Sequence, residues 1–194
     1  MKKPLILICN DDGVTAPGIQ SLIESVRDIG DIMVVAPDKP QSGTGHGITI
    51  NSTLRMQKIT EEGGLTIYSC SGTPVDCIKL AIYKMEVKPD IILSGINHGS
   101  NASINVIYSG TMSAAVEGAL EDIPSIGFSL LDHSIDADFS ASKEIARQIT
   151  LKTIEEGLPK GVCLNVNIPK LHLEEIAGIR VCRQAKGNWQ EEFE

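Results

Sequence analysis

Leu5-Ile6-Leu7-Ile8-Cys9 is apolar at every position, and this run constrains the fold more than any other feature of the chain. Apolarity without alternation marks a strand covered on both faces. A helical stretch follows from about Pro17 to Ile29, with Ile19, Leu22, Ile23, Val26 and Ile29 on one face and Pro17 near its start. Gly30-Asp31 then leads into Ile32-Met33-Val34-Val35-Ala36, a second buried strand. The connection is long enough for a parallel crossover. The pattern therefore predicts strand, helix and parallel strand.

The same logic extends along the chain. Residues 48–69 read as short antiparallel strands around Glu61-Glu62-Gly63-Gly64. Thr73-Pro74-Val75-Asp76 opens a helix to about Met85, with Thr73 as N-cap, Pro74 at N1 and Asp76 in the capping-box position. Further strands are expected at 91–94, 125–128 and 162–167, and helices at 110–120 and 139–156. Ile179-Arg180-Val181-Cys182 closes the ordered pattern, and the tail beyond carries the only Trp. The class is α/β: a Rossmann-like, mostly parallel sheet with helices on both faces, plus a short antiparallel hairpin.

Composition sets the boundaries. At roughly 150 residues per domain, 194 residues make one domain or one domain plus an arm. Aromatics are 4% against 42% apolar residues, so the core must be aliphatic. A net charge of −8 argues against binding a nucleic acid duplex. It also requires any phosphate ligand to be held by local devices. The apolar run at 5–9 is shorter than a secretory core of roughly 7–15 residues or a membrane span. Five cysteines, odd in number, widely spread and never in a C-x-x-C pair, read as free thiols in a reducing compartment. These features give the expectation of a cytoplasmic protein without a membrane partner.

Four polar clusters follow strands, where open α/β sheets bind ligands. Asn10-Asp11-Asp12-Gly13 follows the first. Adjacent carboxylates repel unless a proton or cation lies between them, and oxygen ligands favour Mg²⁺ or Mn²⁺. An isolated Asp-Asp pair is more readily a solvated turn, but the end of a buried first strand shifts the balance toward an ion site. Gln41-Ser42-Gly43-Thr44-Gly45-His46-Gly47 could bring backbone N–H groups to a phosphate, although a flexible surface loop reads equally well. His46 is open to a proton-donor or contact role, or to neither. Gly95-Ile96-Asn97-His98-Gly99-Ser100-Asn101 offers neutral oxygen ligands and amide donors, or simple turn chemistry. Tyr108-Ser109-Gly110-Thr111 stands at a helix start, as an anion site or an ordinary cap. His98, His133 and His172 fit no metal-binding spacing.

Asn10-Asp11-Asp12-Gly13, Ala36-Pro37-Asp38-x-x-Gln41-Ser42-Gly43 and Gly72-Thr73-Pro74-Val75-Asp76-Cys77 together resemble the SurE, or survival protein E, phosphatase family. So do Ser94-Gly95-Ile96-Asn97-x-Gly99-x-Asn101, Tyr108-Ser109-Gly110-Thr111 and Asn165-Val166-Asn167-Ile168-Pro169. The motifs stand in family order from residue 5 to about 190. The resemblance implies a metal-dependent 5′-nucleotidase acting on nucleoside 5′-monophosphates. One divalent ion per subunit, Mg²⁺ or Mn²⁺, would be held by Asp11, Asp12, Ser42 and Asn97. Phosphate would be bound by Asn101, Ser109, Gly110 and Thr111 beside Gly43. Asp11, Asp12, Asn101 and Ser109 would form the catalytic set.

Family members usually run longer, with an arm exchanged between subunits in a homodimer or homotetramer. Residues 1–185 are accordingly expected to form a single phosphatase domain, and 186–194 the start of an absent or truncated arm. The alternative is a non-enzymatic, Mg²⁺-binding receiver-like module. Such a module would need an Asp where Asn97 follows its strand and a Lys after the last strand.

Overall fold

The run that opens the sequence lies in the middle of the sheet. In the computed structural model, which describes residues 3–190, strand β1 (Leu5–Cys9) pairs in parallel with β2 (Asp31–Pro37) and with β5 (Ile91–His98). Successive side chains of a strand point to opposite faces. Ile6 and Ile8 thus enter one core with helix α1 (Pro17–Val26) and helix α4 (Ser140–Glu156). Leu7 and Cys9 enter the other, with α2 (Pro74–Lys84) and α3 (Gly110–Leu120). Two cores explain why no position of β1 could be polar. Burying each of these aliphatic side chains contributes roughly 1.5–3 kcal/mol.

The remaining strands are β3 (Met56–Glu62), β4 (Leu65–Cys70), β6 (Ser125–Leu130) and β7 (Cys163–Ile168), and the seven lie in the order β3-β4-β2-β1-β5-β6-β7. Among the described strands only β3 against β4 is antiparallel, forming the hairpin expected around Gly63-Gly64. The chain winds outward from β1 through β2, then returns to the other side of β1 at β5. Strand order therefore reverses between β1 and β5, and the crevice beyond their carboxyl ends is the favoured ligand position of such sheets.

Local signals largely match their elements. Thr73 and Asp76 form a reciprocal capping box at α2, with Pro74 in the first turn. Two expectations change. β5 continues to His98 across a register shift between Ser94 and Asn97, so Asn97 stands at a strand end and not within a loop. Ile179–Cys182 is irregular chain: no described strand pairs with it, and Val181 is 97% exposed. An apolar alternation makes a strand only where a neighbour satisfies its backbone. Cys9, Cys70 and Cys77 are buried, whereas Cys182 is exposed; all five thiols are free. No helix among the described residues is long and apolar enough to cross a membrane. Residues 191–194 of the expected arm lie outside the described residues.

Candidate active site between β1 and β5

The turn after β1 is built by its own residues. Asn10 Nδ2 donates to Gly13 O at 3.0 Å, and Gly13 has φ +103°, a conformation that favours glycine. Gln41 N donates to Asp11 O at 2.7 Å and Val14 N to Pro37 O at 2.9 Å, joining the loops that follow β1 and β2.

Asp11 meets the start of α3 from far along the chain. Thr111 Oγ1 donates to Asp11 Oδ1 at 2.5 Å. A Cβ on Gly110 would lie 2.7 Å from Asp11 Cβ, so only glycine permits this approach. Burial pushes the Asp11 carboxyl above its ordinary range, opposed by hydrogen bonds from the Thr111 side chain and from the Thr111 and Gly110 backbone. Asp12 is pushed up to about 6, first by burial and then by the neighbouring Asp11 charge, while His98 pulls the other way. Asp12 Oδ2 and Asn10 Oδ1 are buried and find no hydrogen-bond partner among the described residues. Such orphaned groups cost about 1–3 kcal/mol each.

Asp11, Asp12, Ser42 and Asn97 line one cavity of about 520 Å³, together with Gly43, Asn101 and Ser109. That size lies within the usual range of ligand pockets. Asn97 Nδ2 is committed to His98 O and Gly99 O, both at 3.0 Å, which leaves its Oδ1 as the open end of the amide. Asn101 Nδ2 donates to Ser129 Oγ at 2.8 Å and keeps a second amide hydrogen. Ser109 caps α3 by accepting from Met112 N at 3.0 Å, and it also faces the cavity. The cap and the cavity position therefore coincide in one residue.

Gly110 and Thr111 are not on the cavity wall; they lie buried behind Asp11. His46 is also elsewhere, with Nε2 2.8 Å from Glu117 Oε2. Glu117 is buried, which would raise its carboxyl, but His46 and Lys79 outweigh that effect and hold it low.

Several residues that build or brace this wall had no individual role readable from the sequence. His98 and His133 both face the cavity, and His133 packs where a Cβ on Gly99 would approach its Cε1 to 2.1 Å. Asn165 and Asn167 brace the wall from β7: Asn165 Nδ2 donates to Asn101 O at 2.8 Å, and Asn101 N donates to Asn167 Oδ1 at 2.9 Å. Their alternation on a strand placed both on one face, but only the order of strands put that face beside Asn101.

No three His, Cys, Asp or Glu side chains gather around a common point among the described residues. The cavity offers two carboxylates, a hydroxyl and an amide oxygen, one carboxylate oxygen being buried without a partner. All-oxygen ligation of this kind suits a hard ion such as Mg²⁺ or Mn²⁺ and would relieve the Asp11–Asp12 repulsion. The residues fit the ion.

The family model described as "Survival protein SurE" matches residues 6–191. A protein of Flavobacterium psychrophilum named 5′-nucleotidase SurE is 59% identical over 196 residues, covering 100% of this chain and 76% of its own length. The protein of the same name from Flavobacterium johnsoniae is 60% identical over 195 residues, with 100% and 75% covered. Among solved structures, the SurE protein of Aquifex aeolicus superposes with a TM-score of 0.86 at 43% identity, over 94% of this chain and 73% of that one.

Proposed function

The chain belongs to the survival protein SurE family, and from that premise we propose that it is a metal-dependent 5′-nucleotidase. It hydrolyses nucleoside 5′-monophosphates to nucleoside and phosphate. The observation that carries this reading is the pair Asp11–Asp12, facing one cavity with Ser109 and carrying a buried oxygen without a partner.

On this reading Asp11, Asp12, Ser42 and Asn97 hold one Mg²⁺ or Mn²⁺. When bound, that ion supplies Lewis acidity toward a phosphoryl oxygen and lowers the pKa of water. Ser109 and Asn101 orient the phosphate by hydrogen bonding, beside Gly43. Gly110 and Thr111 act from behind: their N–H groups and the Thr111 hydroxyl hold Asp11, and the N-terminus of α3 favours negative charge. Phosphoryl transfer needs mainly such positioning and charge neutralisation. Water is the preferred nucleophile. Ser109 Oγ is engaged as a helix cap, and no His or Lys hydrogen-bonds to it among the described residues to act as its base. A receiver-like module is disfavoured, because Asn97 ends the strand where its phosphoacceptor Asp would be needed.

The same reading takes residues 1–185 as one phosphatase domain, with 186–194 opening an arm that serves a homodimer or homotetramer. It places the enzyme in the cytoplasm, where free thiols persist. The test is phosphate release from nucleoside monophosphates with Mn²⁺ or Mg²⁺, with and without EDTA. Release that requires the ion is expected; release unaffected by EDTA would overturn the metal assignment.

A further inference from the structure

The chain has seven aromatic residues, and two of them, Tyr108 and Trp189, line the same cavity as the carboxylates. Both are half-exposed, Tyr108 at 50% and Trp189 at 59%, although Phe128, Phe139 and Tyr68 are buried. Large aromatic faces left open on a concave wall are typical of ligand contacts. Tyr108 directly precedes Ser109, so the aromatic wall begins where the phosphate contacts end. Trp189 comes from a segment, 176–190, without regular secondary structure. That segment is nevertheless tied down. Gln184 Nε2 donates to Ser103 O at 2.5 Å, and Gly187 lies so close that a Cβ would sit 2.5 Å from Ser103 Oγ. Ser103 begins the short 3-10 turn Ser103–Ile107 that leads into Tyr108.

We propose that Trp189 and Tyr108 form the nucleobase subsite of this cavity, a stacking platform for the base of a nucleotide whose phosphate lies at Ser109. This rests on the nucleotidase reading. Every base has a π-face, so stacking supplies affinity with little regard to base identity. The platform therefore separates nucleotides from phosphate esters that lack a base, more than it separates one base from another.

The full chain, its Trp189→Ala variant and its Trp189→Phe variant are compared on adenosine 5′-monophosphate and on ribose 5-phosphate with Mn²⁺ present. The ratio of kcat/KM for the two substrates should fall about ten-fold in Trp189→Ala, as lost stacking implies, and recover in Trp189→Phe. Trp189 is the only Trp in the chain, so its fluorescence reports the same contact directly. Quenching by adenosine 5′-monophosphate and none by ribose 5-phosphate is expected. An unchanged ratio in Trp189→Ala, or equal quenching by both compounds, would overturn the platform. Failure of the wild-type chain to hydrolyse the nucleotide would instead overturn the nucleotidase reading. The fluorescence titration needs no turnover and decides the subsite in either case.

Discussion

Helices α2 and α3 lie side by side on one face of the sheet and solve the same problem at their N-termini in different ways. At α2 the answer is local: Thr73 accepts from Asp76 N at 3.2 Å, and Asp76 accepts in return from Thr73 N at 2.9 Å. Thr49 adds its own hydroxyl, 2.6 Å from Asp76 Oδ2. Burial would raise the Asp76 carboxyl, but these bonds outweigh it and hold it below its ordinary range. α3 has no acidic residue in its first turn. Its carboxylate is Asp11, brought from the end of β1, with Asp12 beside it at a raised pKa of about 6. A helix end closed by its own sequence is structural. One that borrows a carboxylate and leaves the next one unsatisfied keeps capacity for a ligand.

That contrast can be broken most sharply at the borrowed pair. Asp11→Asn and Asp12→Asn each remove a formal charge from the proposed ion site at nearly constant volume. Turnover is expected to fall by about 100-fold or more in each, with folding retained by circular dichroism. Near wild-type turnover at saturating Mn²⁺ in both would sink the assignment. The second test concerns charge. A phosphate approaches a chain of net charge −8, opposed locally by a helix end of about half a positive charge. Inorganic phosphate should bind about ten-fold more tightly with Mn²⁺ than without at fixed ionic strength, given the short-range Coulomb gain. Equal affinities would mean that other contacts hold the phosphate.

The two caps themselves come next. Ser109→Ala should reduce turnover about ten-fold, as loss of one oriented donor does at the mild end of such effects, while the calorimetric Mn²⁺ titration stays unchanged. Loss of the ion in that variant would show that the two halves of the site have been misassigned. Thr73→Ala should cost about 1 kcal/mol of stability through the lost cap and reduce turnover less than Ser109→Ala does. A larger loss of turnover at Thr73 would erase the distinction between the closed and the open helix end.

The smallest effect is on pH-dependent stability without metal, and it has opposite signs at the two ends. Folded Asp12 binds its proton more tightly than the unfolded chain does, at about 6 against 3.8. Its charged form therefore penalises the fold above pH 6, and the penalty fades as pH falls toward 4. Asp12→Asn should raise Tm at pH 7 by about 2–4 °C, the equivalent of about 1 kcal/mol, with no gain near pH 4. Asp76 has a lowered value, so its contribution is present above pH 3.8 and lost as pH falls through that lower value. Asp76→Asn should lower Tm at pH 7, with the deficit shrinking below pH 4. The same sign of change for both substitutions at pH 7 would remove the contrast.

The amino-acid sequence by itself determined what is local. The unbroken apolarity of Leu5–Cys9 required a strand between two layers, and the spacing of Ile19, Leu22, Ile23 and Val26 required a helix against it. The Thr73–Asp76 capping box needs only three residues of separation, so it was legible before any fold was known. The polar clusters were legible as groups of chemistry following strands, and their joint order carried the family resemblance. Tertiary structure alone decided which clusters meet. Thr111 and Asp11 are 100 residues apart, and their contact depends on β1 and β5 being neighbours, which no periodicity encodes. It also decided that Ile179–Cys182, with a strand-like pattern, finds no partner, and that Trp189, read only as part of a tail, lies on the cavity wall. Propensity and capping act over a few residues of chain. Strand pairing and the closure of a site are set by contacts whose entropic cost is met only when the whole sheet assembles.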